Sequence, residues 1–321
     1  MKVVTFVSLL ALAAGRSLSA QAPVADHHQH FFSPTVLAWA TSWNPAARRL
    51  SPVTATELVA YLDSAGIRRA LVLSVAYQYG NPAHPVDDEY ERVKAENDWT
   101  SRQVARYPDR LRALCGVNPL KDYALREIER CAKDPQLRIG LKLHFGNSDV
   151  NVSDPTQLAQ LRRVFRAANA NHMPIVVHAH ANVNNNRPYG REQAQIFLDS
   201  LLPAAPDVPV QIAHLAGAGR YDDSTDHALA VYAEAIARHD PRTAHLYFDV
   251  SGLARVAALP AERKALIASR IRQIGLDRIL YGSDGALPGF GPREYWASFR
   301  TLPLTGEELR EIASNVAPYM R

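Results

Sequence analysis

Val24-Ala25-Asp26-His27-His28-Gln29-His30 is a short β-rich run that ends in histidines. At the head of an alternating strand–helix pattern, such a run would lead into a glycine-rich phosphate loop if the sheet were open and doubly wound. Here histidines stand in place of the glycines, which favours a closed barrel. Seven more apolar, β-branched runs follow: Ala70–Val75, Leu111–Val117, Ile139–His144, Pro174–His178, Val210–His214, Leu246–Val250 and Arg278–Gly282. Amphipathic stretches separate them. Thr56–Ala65 starts with Thr and Glu and stops at Gly66, as a capped helix does. Asp87–Arg106, Tyr123–Cys131, Pro155–Ala170, Arg191–Leu201, Thr225–Arg238 and Ala261–Ile274 read as helices, and Pro292–Arg300 and Thr305–Ala313 close the chain. Eight such units, joined by right-handed crossovers, predict an α/β fold, a (β/α)8 TIM barrel.

The 321 residues suffice for one barrel of about 250, and no linker, low-complexity tract or short repeat divides them. Residues 1–20 stand apart. Met1-Lys2, the apolar run Val3–Ala14 and the small, polar stretch to Ala22 form the three regions of a cleaved secretory signal peptide. Cleavage fits after Ala20 or Ala22, with Pro23 disfavouring the second. The expectation is a signal peptide over 1–20, a single barrel domain over 21–321, and an exported protein, periplasmic or secreted.

The formal charge is +4, of which Lys2 and Arg16 supply two units, so the mature chain carries about +2. No basic stripe lies on any helix, which argues against nucleic acid. After cleavage nothing calls for a membrane. The expected partner is a small-molecule substrate, and a homo-oligomer is compatible with the sequence. Cys115 and Cys131 can form a disulfide in an oxidising compartment or stay as two buried thiols.

A barrel keeps its site at the C-terminal ends of its strands. His28 and His30 end the first strand, and the period of two puts them on one face, with His27 towards the helices. Asp26 shares the face of His28 and His30, where it would orient an imidazole or cap backbone. His178 ends the fifth strand, His214 the sixth and Asp284 the eighth. Taken singly, each is also what a hydrogen-bonded polar residue looks like. Together they bring imidazoles and a carboxylate to one end of the barrel, the donor set of a divalent cation. His172 and His245 fall at strand starts, and His227 and His239 on or after a helix; these are read as structural.

The pattern resembles the amidohydrolase superfamily, in particular the group that includes aminocarboxymuconate-semialdehyde decarboxylase. Asp26-x-His28-x-His30, Gly140-Leu141-Lys142-Leu143-His144, Val177-His178, Ala213-His214-Leu215-Ala216-Gly217 and Tyr281-Gly282-Ser283-Asp284 carry the resemblance, with Ile312–Ala317 and the segment Asn97–Arg110. It covers nearly the whole mature chain. It implies one divalent cation, most often zinc, held by His28, His30, His178 and Asp284. His214 would be the acid/base group, and Asp284 would both bind the cation and accept a proton. Some members carbamylate a strand-four lysine to bridge two metals, so a second metal is implied only if Lys142 is carbamylated. Otherwise Lys142 pairs with a substrate carboxylate or packs structurally. His144, on the same face, would contact substrate or a second metal.

The expected activity is hydrolysis of a C–O, C–N or C–C bond in a small, carboxylated molecule by activated water. The alternative is non-oxidative decarboxylation by the same centre; a remote one is a non-catalytic periplasmic binding protein, against which the single eight-unit run argues. Tyr77, His180, Arg187 and Arg191 are the expected substrate contacts, with Gln78, Tyr79, His84, Asn184, Tyr189 and Arg220 also placed in loops after strands. The arginines suit an anionic substrate.

Overall fold

In the computed structural model, which describes residues 21–49, 51–182, 187–253, 256–285 and 291–321, all eight expected strands form. They are β1 (Ala25–Gln29), β2 (Arg69–Leu73), β3 (Leu111–Gly116), β4 (Leu141–His144), β5 (Ile175–His178), β6 (Val210–Ile212), β7 (Leu246–Asp249) and β8 (Ile279–Leu280). The signal-peptide expectation and Asn184 lie outside the described residues.

The strands pair in parallel in chain order. Two backbone hydrogen bonds bring the end of β8 to β1: His27 N–H donates to Tyr281 O and Asp284 N–H to His28 O, both at 2.8 Å. Gly282 permits this seam, because a Cβ there would lie 2.8 Å from Cβ of His28, well inside the packing distance of two carbons. The result is a nearly closed (β/α)8 barrel in one domain.

Around it run α1 (Pro34–Trp43), α2 (Ala55–Ala65), α3 (Glu89–Val104), α4 (Ala124–Cys131), α5 (Pro155–Ala170), α6 (Arg191–Ile196), α7 (Asp223–Ala237), α8 (Ala261–Ile274), α9 (Pro292–Phe299) and α10 (Gly306–Ser314). The caps agree with the sequence: Thr54 and Glu57 form a capping box on α2, and Gly66 ends it at φ 71°. Helix α1 has no counterpart among the expected helices. Only its Val36 and Leu37 are buried, too short a stripe to show as a period. The expected helix Arg191–Leu201 changes character part-way, and Phe197–Leu201 is a π-helical turn.

Apolar side chains fill two compartments. The larger lies between barrel and helices and includes Ala70, Val72, Leu141, Leu143, Ile175 and Val177. The smaller is inside the barrel: Ala25, Leu71, Leu73, Leu114 and Val176 pack with Met320 of the C-terminal tail. That tail plugs the lower end, where Arg69 donates to Met320 O at 2.7 Å.

The strand period fails at one place, with consequences for the site. Asp26 pairs with Ala70 and Gln29 with Val72, so three residues of β1 span two of β2, a β-bulge. Ala25 is inside the barrel, which turns Asp26 outward; past the bulge the phase reverses and brings His28 and His30 inward. Asp26 therefore does not share their face, contrary to the period-two expectation. His27 does not face the helices either. Its Nδ1 donates to Tyr281 O at 2.8 Å, and its Nε2 accepts from Ala317 N–H of the tail at 3.1 Å.

Cys115 at the end of β3 and Cys131 in α4 form a disulfide. The bond closes a short loop, with a sequence separation of 16. Its reduction is expected to lower stability by about 3 kcal/mol, read as a lower denaturant midpoint with reductant than without. An unchanged midpoint would show the bridge to be incidental to stability.

Candidate metal centre

Five strand ends deliver the polar side chains. His28 and His30 come from β1, Lys142 and His144 from β4, His178 from β5, His214 from just past β6, and Asp284 from just past β8. The ring centroids of His28 lie 5.2 Å from His30 and 4.8 Å from His214, which is itself 4.8 Å from His178. Asp284 Oδ1 is 3.4 Å from His30 Nε2 and 3.9 Å from His28 Nε2. One ligand atom each of His28, His214 and Asp284 falls within 4.8 Å of the others. The structure thus brings His28, His30, His214 and Asp284 together, with His178 beside His214, and it is His214 rather than His178 that lies within ligand distance of both His28 and Asp284.

Hydrogen bonds to Nδ1 fix which ring nitrogens are bare. His28 Nδ1 is 3.0 Å from Asp249 Oδ2, His30 Nδ1 is 2.7 Å from Leu73 O, and His214 Nδ1 is 3.1 Å from Ser251 O. A carboxylate and carbonyls only accept, so each Nδ1 carries the hydrogen and each Nε2 presents a lone pair. His178 Nε2 is buried with no hydrogen-bond partner among the described residues. An orphaned buried nitrogen is costly in a finished structure, and a cation answers it. Three bare imidazole nitrogens, an orphan and a carboxylate fit a divalent metal ion.

Electrostatics favour the binding-competent forms. Burial drives the His28, His30 and His214 imidazoles down to about 3, and His144 and His178 well below their ordinary value. All are neutral at physiological pH. Burial also lowers the Lys142 ammonium, against the pull of Asp249 and Asp284. About a third of the Asp284 side chain opens to the mouth, yet desolvation by the surrounding protein raises its carboxyl, with Lys142 opposing.

Asp249, at the end of β7, organises the centre. Its Oδ2 accepts from His28 Nδ1 and, at 2.6 Å, from Gln211 Nε2; its Oδ1 accepts from His214 N–H at 3.0 Å, Ser251 N–H at 3.1 Å and the Ser251 hydroxyl. Burial pushes Asp249 up, but the His28 and His214 imidazoles and these bonds hold it well below the carboxylate range. The strand-end rule applied to Leu246-Tyr247-Phe248-Asp249 would have found it; the expectation put this orienting role on Asp26 instead. Asp26 accepts from His28 N–H, Ser283 N–H, the Ser283 hydroxyl and Gln29 Nε2, the backbone-capping alternative.

The backbone at the centre is strained. His214, Leu215 and Ala216 have φ of 59°, 49° and 64°, and Asp284 has 52°. Left-handed geometry costs a non-glycine residue roughly 1–2 kcal/mol, and such outliers collect where function over-determines the chain. Here the Asp249 carboxylate holds His214 N–H in place.

The remaining expected contacts divide. Tyr77 is buried, with its ring 5.2 Å from His144. His180 is buried against Tyr189 at 4.0 Å, and among the described residues His180 Nδ1 and Tyr189 OH have no hydrogen-bond partner. Arg187 instead forms a two-pronged pair with Asp149 at 2.7 and 2.9 Å. Arg191 does the same with Glu234 of α7 on the surface, so α6–α7 packing claims it rather than the mouth. Arg220 is exposed, 3.8 Å from Asp222. His84 stacks on Trp43 at 3.9 Å. His172 and His239 sit in left-handed turns after α5 and α7, as structural residues. Beside His214 a cavity of about 520 Å³ is lined by Asn182, Arg220, Tyr221, Leu253 and Leu259, among others.

No curated protein matches the sequence in the comparison made. Solved structures do. The 5-carboxyvanillate decarboxylase LigW of Sphingomonas paucimobilis aligns with TM-score 0.63 at 17% identity, over 91% of this chain and 97% of that one. The 2,6-dihydroxybenzoate decarboxylase of Rhizobium gives 0.62 at 16%, over 92% and 97%. A dihydroxybenzoic acid decarboxylase of Polaromonas sp. JS666, with bound manganese and an inhibitor, gives 0.60 at 17%, over 92% and 95%. At these identities the likeness is one of fold. The amidohydrolase family model matches residues 25–315, and on that match, with the barrel and its strand-end histidines, the chain belongs to the amidohydrolase family and is an enzyme.

Proposed function

We propose that this enzyme removes the carboxyl group of a small, ring-bearing carboxylic acid, with one divalent cation held by His28, His30, His178 and Asp284. The observation that carries the proposal is the convergence of bare imidazole nitrogens and the Asp284 carboxylate around a buried lysine, Lys142. A cation bound there polarises substrate oxygen and stabilises developing negative charge. Lys142, unmodified in this reading, attracts the substrate's negative charge within a barrel that excludes bulk water. When the C–C bond breaks, its electron pair stays on the ring carbon and carbon dioxide departs, so that carbon needs a proton. His214, through its bare Nε2, and Asp284, through the carboxylate oxygen not bound to the cation, are placed to deliver it.

The solved decarboxylases sharing this architecture favour that reaction over the hydrolysis expected from sequence. Hydrolysis keeps one observation in its support: the bare Nε2 of His214 beside Asp284 is equally suited to take a proton from water. The metal is zinc by family resemblance, and manganese has support from the Polaromonas structure. The disulfide supports export as well.

The test is a panel of hydroxybenzoates beside matched lactones, esters and amides, in ¹⁸O-water, with zinc- and manganese-loaded protein. Carbon dioxide release without label in the organic product is the expected result. Label in the product without carbon dioxide would replace the proposal with hydrolysis.

A further inference from the structure

Asn147 follows β4 and ties its end in place. Its backbone N–H donates to His144 Nδ1 at 3.0 Å, and its side-chain nitrogen to Tyr77 O at 3.0 Å. Its side-chain oxygen accepts from Asn81 Nδ2 at 3.2 Å. A backbone N–H can only donate, so His144 Nδ1 is bare and the ring hydrogen sits on Nε2. This tautomer is the opposite of that in His28, His30 and His214, whose Nδ1 atoms face acceptors. His144 therefore has no free nitrogen for a cation: Nδ1 is occupied and Nε2 carries a hydrogen.

His144 is nonetheless held at the mouth. Its ring lies parallel to His178, with centroids 4.0 Å apart and planes at 9°, and it is half-buried rather than enclosed. Lys142, two residues earlier, shares its face of β4, since Leu141 and Leu143 point into the outer core. One strand thus presents a cation and, a step nearer the opening, a directed N–H donor.

We infer that the end of β4 is the seat of the substrate's carboxylate, with Lys142 supplying charge and His144 Nε2–H a directed hydrogen bond. Asn147 is the positioning residue that sets the tautomer of His144. The inference rests on the reading of the centre as a site for carboxylated molecules. It excludes His144 as ligand to a second metal.

Two measurements test it. Nitrogen-15 NMR of histidine-labelled protein, without metal, should show His144 as the Nε2–H tautomer, and Asn147→Pro, which removes the backbone N–H that faces Nδ1, should mix the two forms. Calorimetry with benzoate as probe, on zinc-loaded protein, should show His144→Phe and Lys142→Met each weakening binding by about 10- to 100-fold, the span of a hydrogen bond to a charged group. His144→Gln, whose amide N–H can reach the place of Nε2–H, should stay within a few-fold of the parent. Benzamide, which is neutral, should bind more weakly and respond little to either substitution.

An Nδ1–H form of His144, no saturable benzoate binding by the parent, or equal binding by His144→Phe would each overturn the seat. An unchanged tautomer and affinity in a folded Asn147→Pro would remove the positioning role. If these shifts occur but no carboxylate on the panel loses carbon dioxide, decarboxylation fails and the seat stands.

Discussion

Asp249→Asn is expected to give a folded barrel that holds its cation about 10- to 100-fold more weakly, the usual cost of losing a partner that orients a metal-binding imidazole. The two carboxylate oxygens of Asp249 face only donors: His28 Nδ1–H and Gln211 on one side, His214 N–H and Ser251 N–H on the other. An asparagine has one acceptor and one NH2 group. Turned either way, it sets that NH2 against two donors, and each buried donor left unmatched costs about 1–3 kcal/mol. If the amide oxygen faces His214, His28 Nδ1 loses its carboxylate acceptor and keeps only the Ser251 hydroxyl at 3.1 Å, so the tautomer whose Nε2 cannot bind becomes more accessible. If it faces His28, the strained turn from His214 to Ala216 loses its anchor. Metal titration against a competing chelator checks the affinity, and a denaturation midpoint checks the stability. Parent-like affinity in a folded Asp249→Asn would show that Asp249 does not set the imidazoles.

His178→Ala and His214→Ala are expected to part company. His178→Ala should lose the bound metal, because the orphaned Nε2 is the nitrogen whose burial a cation explains. His214→Ala should keep its metal and lose about 10²- to 10⁴-fold in kcat, the range of a positioned acid/base group. The geometry makes this comparison informative, since His214 stands as close to His28 and Asp284 as a ligand does. Metal analysis of the two purified variants, with kcat on the substrate the panel identifies, settles the roles. Metal lost from His214→Ala and retained in His178→Ala would exchange them.

Much of the centre was legible because a barrel converts strand order into position. Once eight alternating units were recognised, any histidine or carboxylate at a strand's C-terminal end had to lie at one mouth, and His28, His30, His178, His214 and Asp284 do. The errors come from geometry that no residue pattern announces, in the backbone itself or between elements distant in sequence. The bulge in β1 reversed the face of Asp26 and turned His27 to the tail. Arg191 looked like a loop cation, but Glu234 on the neighbouring helix holds it. Asn147 was invisible because its decisive atom is a backbone N–H, which every residue but proline has.

By itself the sequence determined the architecture and the ligand types. Both follow from periodicity and side-chain chemistry, which are local and add up along the chain. Tertiary structure alone decided which nitrogen of each imidazole is bare, which carboxylate orients them, and that Cys115 meets Cys131. Those outcomes depend on atoms distant in sequence arriving within about 3 Å of one another, and a bulge of one residue is enough to redirect them.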